Sequence, residues 1–525
     1  MKNRQTTLSD INPRVKVLTE EGTFEFIMKE EVSLLNCLLQ AGRDVIAPCG
    51  GTGRCGKCKV QIVEGMLPIT NQDKEFFSKE ELDCGWRLAC GAVVTEDLTI
   101  RLGWKEEKDI QVQSEFIAYT EKPYAQIGYG IAIDLGTTTL AAQLVDLSSG
   151  QILGTQTGLN HQRAFGADVI SRILSATQGK ASAMKNSIRN DLYHLIEQLC
   201  DGNQVEITQL TKIVIAGNTT MIHLLMGYPC ESLGQAPFTT YEIGTLKLMA
   251  KELFQDERLQ AKVWIAPGIS AFVGGDITAG LTALKMDESK DIRLFVDLGT
   301  NGEIALGNKD NLLVASTAAG PAFEGGNISC GIGSIPGAIC SAEFENDRLV
   351  VRTIYNKMPT GICGTGVIEL VAAFVKRNVI DETGLLDAVW FEDGYPVAIG
   401  ENGEPIVLTQ EDIREIQLAK AAVRGGIETL LYRYGITAKE VDKVYIAGGF
   451  GYALDFKKAV SLGMFPEEFL GKEQAVGNSS LGGAVKILLD LDAISKTERI
   501  AKFAKEVDLA SDEFFQNAYI NAMYF

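Results

Sequence analysis

Residues 131–139 read IAIDLGTTT, and residues 294–302 read LFVDLGTNG. Each is an apolar run followed by Asp, Leu, Gly and short polar residues. A short apolar run rich in β-branched residues reads as a buried strand, and the glycine permits a tight turn at its end. Such a turn offers backbone N–H groups and hydroxyls to a phosphate, while an Asp at the strand end can hold Mg²⁺ through water. One copy is a weak signal; two copies signal an internal duplication. The runs KIVIAGNTT at 212–220 and KVYIAGGFG at 443–451 also end in glycine-rich turns. Apolar strands alternating with helical patterns imply largely parallel sheets with crossover helices. Residues 128–525 are therefore expected to form an α/β unit of two similar subdomains.

The 525 residues exceed what one simple core holds, so two or three domains are expected. A net charge of −19 argues against nucleic acid, whose phosphates demand basic patches. No uninterrupted run of 18 apolar residues occurs, and the first ten residues lack a signal-peptide pattern. A soluble, cytoplasmic protein without a membrane partner is expected. Eleven cysteines in that setting are not read as a disulfide framework.

Five cysteines crowd between positions 49 and 90. The stretch APCGGTGRCGKC at 47–58 sets Cys49, Cys55 and Cys58 in a C-x5-C-x2-C spacing, and Cys90 ends GWRLAC. Four thiolates suit zinc or an iron–sulfur cluster. Three on one glycine-rich loop with one distant match [2Fe–2S] better than paired zinc knuckles. Gly50, Gly51, Gly53 and Gly56 let the backbone fold tightly around the sulfurs. Around this loop, RVKVLT and GTFEFI read as a hairpin, SLLNCLLQAG as a helix ending at Gly42, and KVQIVEG and DLTIRL as strands.

Residues 1–102 accordingly resemble a β-grasp ferredoxin domain, a [2Fe–2S] domain with Cys49, Cys55, Cys58 and Cys90 as ligands. That resemblance makes Cys84 a bystander. Residues 103–127 are charged and weakly periodic, and read as a linker. Residues 128–525 resemble the ATPase core shared by sugar kinases, acetate kinase, actin and the heat-shock chaperones. Carried over by position, Asp134, Gly136, Thr137 and Thr138 match its first phosphate loop. Asp297, Gly299, Thr300, Asn301 and Gly302 match the second. Gly448, Gly449 and Gly451 match its adenosine-contacting turn, and GICGTG at 361–366 a hinge segment. Gly217 and Asn218 follow a strand and are expected to face the cleft. Asp276, in GISAFVGGDITAG at 268–280, reads as a Mg²⁺-water or phosphate contact, or else as a turn or cap residue. Asp134, Asp297 and Asp276 are the expected catalytic carboxylates, with ATP and Mg²⁺ as cofactors. Gly425 and Gly426 interrupt an amphipathic helix capped by Thr409 and are expected to admit close packing against nucleotide.

The combination resembles the reductive activators of corrinoid proteins. That likeness is carried by the cysteine loop, the phosphate loops, TAAGPAFEGGNISCGIG at 317–333 and LTQEDIREIQLAKAA. It implies ATP-dependent one-electron reduction of inactive Co(II) to Co(I) in support of methyl transfer. It further implies a corrinoid protein of a methyltransferase or O-demethylase system as partner, a low-potential electron donor, and suggests a homodimer. Docking is expected near 317–333, with Ser316, Thr317 or Ser329 approaching cobalt. Members of that family carry a longer region between ferredoxin and ATPase than 103–127 provides. The rival readings are a small-molecule kinase with a ferredoxin regulatory domain and a nucleotide-gated redox sensor.

Overall fold

The computed structural model describes residues 13–19, 22–28, 33–41, 56, 58–102, 126–401 and 403–525. These fall into two compact units. One draws on Met1–Lys108, Asn160–Asp191 and Leu224–Gln235; the other on Asp109–Leu159, Leu192–His223 and Ala236–Phe525. Cys49, Cys55 and most of the expected linker lie outside the described residues.

In the first unit β1 (Arg14–Thr19) and β2 (Gly22–Ile27) form the expected hairpin. α1 (Leu34–Gln40) and β3 (Lys59–Glu64) follow, then two short helices, α2 (Asn71–Phe76) and α3 (Lys79–Asp83), and β4 (Trp86–Leu88) and β5 (Leu98–Leu102). The sheet order is β2-β1-β5-β3-β4, with β1 and β5 parallel. Leu34, Leu35 and Leu38 of α1 are buried against Val15, Val17, Val60 and Ile100. Each such leucine contributes about 1.5–3 kcal/mol by leaving water. α4 (Val169–Ser175) lies in the same unit, and the residues of α5 (Ala181–Gly202) and α6 (Thr219–Met226) are divided between the two units.

The second unit carries the duplication. Its first lobe has β6 (Tyr129–Leu135), β7 (Thr139–Asp146), β8 (Ile152–Leu159), β9 (Leu210–Gly217), β10 (Leu246–Met249) and β11 (Lys262–Ile265), with α7 (Ala250–Phe254) and α8 (Gly275–Ala283). The second lobe opens with β12 (Arg293–Leu298), β13 (Gly302–Gly307) and β14 (Leu312–Thr317). A small sheet of β15 (Ala338–Glu345), β16 (Arg348–Thr353) and β17 (Gly361–Ile362) leads to α9 (Gly364–Lys376) and the hairpin β18 (Tyr395–Ile399) and β19 (Pro405–Leu408). The long α10 (Gln410–Tyr434) follows, then β20 (Lys443–Ala447), α11 (Gly449–Ala453), α12 (Phe456–Ser461), β21 (Glu473–Gly477), α13 (Ser479–Leu489), α14 (Ala493–Phe503), β22 (Lys505–Glu506) and α15 (Glu513–Asn521).

The two six-stranded sheets run β10-β11-β9-β6-β7-β8 and β21-β20-β12-β13-β14-β22. In each, the strand bearing the Asp-Leu-Gly motif pairs antiparallel with its successor and parallel with a crossover strand, β9 or β20. The duplication seen in two motifs thus extends to the sheets. The lobes also exchange helices. α13 follows β21 of the second sheet, yet Leu481, Ala484, Val485 and Leu488 pack on Ala132, Ala141, Val145 and Val214 of the first. α8 follows the first sheet, yet Ile277 and Leu281 pack on Phe295, Ala305, Val314 and Tyr445 of the second.

One expectation fails here. A Cβ on Gly425 would meet Phe515 and Tyr519, and one on Gly426 would meet Ile304 and Thr317. These glycines admit α15 and the second sheet, not nucleotide. The Thr409 cap of α10 is present, its hydroxyl accepting from the Asp412 N–H.

Candidate functional site

Asp134 and Asp297 are the penultimate residues of β6 and β12, just before the turns that follow. The Asp134 carboxylate accepts from Asn478 Nδ2 and from Ser480 Oγ, both at 2.7 Å. Asp297 accepts from Ser479 Oγ at 3.4 Å. Three consecutive residues at the start of α13 therefore serve the two motif carboxylates. Thr137 Oγ1 accepts from Asn218 Nδ2 at 2.9 Å, and Asn218 Oδ1 accepts from the Met221 N–H. A Cβ on Gly217 would crowd Leu135, and one on Gly136 would overlap the Thr139 carbonyl. Only glycine lets this turn close.

Asp276 stands in the first turn of α8, its Oδ1 accepting from the Ile277 N–H at 2.8 Å. Gly274 ahead of it could not carry a Cβ without overlapping the Asn218 backbone. That contact holds the Asp276 segment against the Gly217–Asn218 turn. In the second loop Thr300 Oγ1 donates to Glu324 Oε2 at 3.0 Å, and Thr138 Oγ1 donates to the same oxygen at 3.4 Å. The Gly302 carbonyl accepts from Thr317 Oγ1, while the Asn301 carbonyl accepts from the Gly299 N–H. Gly448 has φ 90°, and a Cβ there would lie 3.0 Å from Asp297 Oδ1. Gly449 faces open space, whereas Gly451 packs on Ile446, so Gly451 serves internal packing.

Asp134, Asp276 and Asp297 are crowded by protein, yet each keeps part of its surface exposed. Burial raises the Asp134 pKa against its two hydrogen bonds. Burial, with Asp134 adding, pushes Asp276 up to about 7. Burial, then Asp276 and Asp134, pushes Asp297 up to about 7. Glu303 on β13 was not singled out from the sequence. It pairs across the ladder with Asp297, accepts from Ser316 Oγ at 3.3 Å, and is raised well above the usual range by burial and by Asp276 and Asp297. Like charges opposed on one sheet face repel. A cation that neutralises them fits this cluster. Among the described residues no group of three or more His, Cys, Asp or Glu is placed to hold a metal ion directly. One or two carboxylates acting through water, with phosphate completing the shell, is how Mg²⁺ is commonly held.

Sequence reasoning also missed Asn478, Ser479, Ser480 and Glu324. A signal existed for the first three: GNSS at 477–480 repeats the Gly-Asn-hydroxyl-hydroxyl pattern of GNTT at 217–220. In both, the Asn caps the next helix through its oxygen and reaches the first loop through its nitrogen.

In the first unit, Cys58 is 1% exposed and its carbonyl accepts from the Ala89 N–H. The β3–β4 register pairs Lys59 with Leu88, so Cys58 lies opposite Ala89 and Cys90 comes next. Both thiols stand at one end of the strand pair. Cys84 is exposed at the other, its carbonyl accepting from Gln61 Nε2. Gly56 has φ 62°, and a Cβ there would overlap the Phe76 ring. Buried Asp73 caps α2 and accepts from the Leu88 N–H, while Arg87 donates to the Leu67 and Leu82 carbonyls. These bonds fix the strand that leads to Cys90. Cys58 and Cys90 fit two of the four thiolates of a [2Fe–2S] cluster.

Of the residues expected near cobalt, Thr317 is buried with its hydroxyl on Gly302, and the Ser316 hydroxyl is given to Glu303. Ser329 is exposed, and its N–H and hydroxyl donate to Asp412 at 2.7 and 3.0 Å. Of the three, only Ser329 is left exposed at the surface.

A cluster-binding domain joined to a duplicated two-lobed α/β core defines an iron–sulfur protein with an actin- and sugar-kinase-like domain. Residues 18–95 match the family described as 2Fe-2S iron-sulfur cluster binding domain. Residues 129–289 match the RACo middle region, and 291–525 the C-terminal ASKHA domain of RACo. The chain is 35% identical over 426 residues to the corrinoid activation enzyme RamQ of Eubacterium limosum, covering 77% of this chain and 71% of that protein. It is 27% identical to the [Co(II) methylated amine-specific corrinoid protein] reductase of Methanosarcina barkeri, covering 75% and 76%. A solved structure titled reductive activator for corrinoid,iron-sulfur protein superposes with a TM-score of 0.70 at 29% identity over 98% of both chains. The chain belongs to the family of reductive activators of corrinoid proteins.

Proposed function

We propose that this protein reactivates a corrinoid protein by ATP-dependent one-electron reduction of Co(II) to Co(I). The observation that carries this is the joining, in one chain, of a cluster-binding domain to a cleft whose paired Asp-Leu-Gly loops are crowded with carboxylates. We assign 1–102 to the cluster domain, 103–127 to the linker and 128–525 to the ATP-binding core. Cys49, Cys55, Cys58 and Cys90 would hold the [2Fe–2S] cluster, which when bound supplies the single electron. Gly136, Thr137, Thr138, Gly299, Thr300, Asn301 and Gly302 would receive the phosphates of ATP, with Gly217 and Asn218 bracing the first loop. Gly448 and Gly449 would border the nucleoside. Asp134, Asp276 and Asp297 would orient Mg²⁺ through its waters, and the cation would relieve their mutual repulsion.

Ferredoxin-type clusters sit near about −400 mV. A gap of about 200 mV to the cobalt couple would cost about 5 kcal/mol for one electron. Nucleotide can meet that cost only through different affinity for two conformations. The exchanged helices α8 and α13 give the lobes such a coupling, since each helix begins at one lobe's turn and packs on the other lobe's sheet. The partner would be the corrinoid protein of a methyltransferase or O-demethylase system, docking beside the 317–333 segment, with an external low-potential donor. Placement in the cytoplasm and a homodimer complete the reading. No helix among the described residues is long and apolar enough to cross a membrane.

The test follows Co(I) absorbance of a corrinoid protein incubated anaerobically with the reduced holoprotein, with and without Mg·ATP. ATP-dependent Co(I) is expected. Its absence with several corrinoid partners, alongside ATPase stimulated by a sugar or acid, would instead favour the kinase reading.

A further inference from the structure

Glu324 stands between the two threonine loops. One of its oxygens takes the hydroxyls of both Thr300 and Thr138, at 3.0 and 3.4 Å, and so links the second lobe to the first. The residue closes a short turn, Pro321–Glu324, bounded by Gly320 at φ 76° and Gly325 at φ 79°. Both glycines hold a left-handed backbone that other residues reach only with strain, and such pairs mark places where a chain can pivot. Phe323 beside it is buried and stacks on Phe450 of the third glycine motif, ring centroids 4.9 Å apart. Beyond Gly325 the chain is tied to the start of α10: Ser329 donates twice to Asp412, and Asn327 donates to Glu415 at 3.2 Å. One end of this segment thus sits at the two threonine loops and the other at the start of α10.

We infer that Glu324 reports nucleotide occupancy to the 325–333 loop: its carboxylate competes with the phosphates of ATP for the Thr138 and Thr300 hydroxyls, and is displaced when they bind. The inference rests on the nucleotide reading of the two loops. A hydroxyl has one hydrogen to donate, so each threonine serves the carboxylate or a phosphate. A carboxylate and a triphosphate brought to the same hydroxyls also repel. Displacement swings the Pro321–Glu324 turn about its two glycines and loosens the loop that follows. Linkage is reciprocal, so a corrinoid partner that prefers the displaced loop tightens nucleotide binding by the same factor.

The test is calorimetric titration of the anaerobically purified holoprotein with Mg·ADPNP, paired with hydrogen exchange over residues 321–333. Glu324→Ala is expected to bind about tenfold more tightly than the natural protein, a typical coupling. Glu324→Gln should fall between, since the amide loses the charge but still accepts from a hydroxyl. Nucleotide should raise exchange over 321–333 in the natural protein and leave that of Glu324→Ala unchanged. Equal or weaker binding by both variants, with the natural protein binding normally, overturns the inference and leaves the nucleotide reading standing. Failure of the natural protein to bind overturns that reading, and the inference with it.

Discussion

Asp276 and Asp297 titrate near 7 because burial strips their water and neighbouring carboxylates add repulsion. Both folded values lie above the ordinary 3.8, so the unfolded chain gives up these protons first. Their contribution to stability is therefore fully present below about pH 4 and is lost as pH rises through 7. Asp276→Asn should raise the midpoint of thermal unfolding at pH 8 by about 2–4 °C and leave it unchanged at pH 4, measured without nucleotide. It should also abolish Mg·ATP turnover, a functional site purchased with stability. An unchanged midpoint at pH 8 would show that these carboxylates do not repel. For the cluster, Cys90→Ala should lose the visible absorbance of [2Fe–2S], and Cys84→Ala should keep it. The reverse outcome would reassign the fourth ligand. The cysteine loop and both Asp-Leu-Gly loops were legible because metal and phosphate dictate residue type and spacing locally. Asn478 and Ser480 were not, because they meet Asp134 from 344 and 346 residues away in a pattern that also serves any helix cap.

α8 and α13 cross so closely that Gly483 faces the Ala279 backbone without room for a methyl group, and Gly280 faces Ser479. Hydrophobic periodicity identifies such helices and their buried faces, but not which sheet each will cover; their exchange between lobes was therefore unreadable. Gly425 and Gly426 show the same limit, since a glycine reports a close approach without naming what approaches. Gly483→Ala should cost about 1–3 kcal/mol, because a fixed carbonyl cannot yield as a side chain would. Denaturant unfolding would measure that loss. Nucleotide affinity should fall with it, as Asn478, Ser479 and Ser480 all ride on α13. Normal stability and affinity would mean the helix pair is looser than it looks.

At the scale of the molecule, the two units carry different halves of one task. The described residues of the first place Cys58 and Cys90 together, and the second gathers five acidic side chains, Asp134, Asp276, Asp297, Glu303 and Glu324, around the two threonine loops. Cysteine spacing and strand–turn motifs fall in separate stretches of the sequence, but residues 160–191 and 224–235, which group with the first unit, lie inside the stretch expected to be one ATP-binding domain. The Thr138–Glu324–Thr300 link could not be read from the sequence: Glu324 lies within the 317–333 stretch that carries the family likeness, but nothing there says which loops its carboxylate meets. If nucleotide at the two Asp-Leu-Gly loops drives the cluster's electron onto cobalt, disabling one loop must stop the transfer. The decisive measurement compares Co(I) yield from the natural holoprotein and Asp297→Asn, both with intact cluster absorbance, pre-reduced and mixed with Mg·ATP and a Co(II) corrinoid protein. Co(I) is expected only with the natural protein, while the Asp297→Asn cluster stays reduced. Equal Co(I) yields from the two would contradict that coupling.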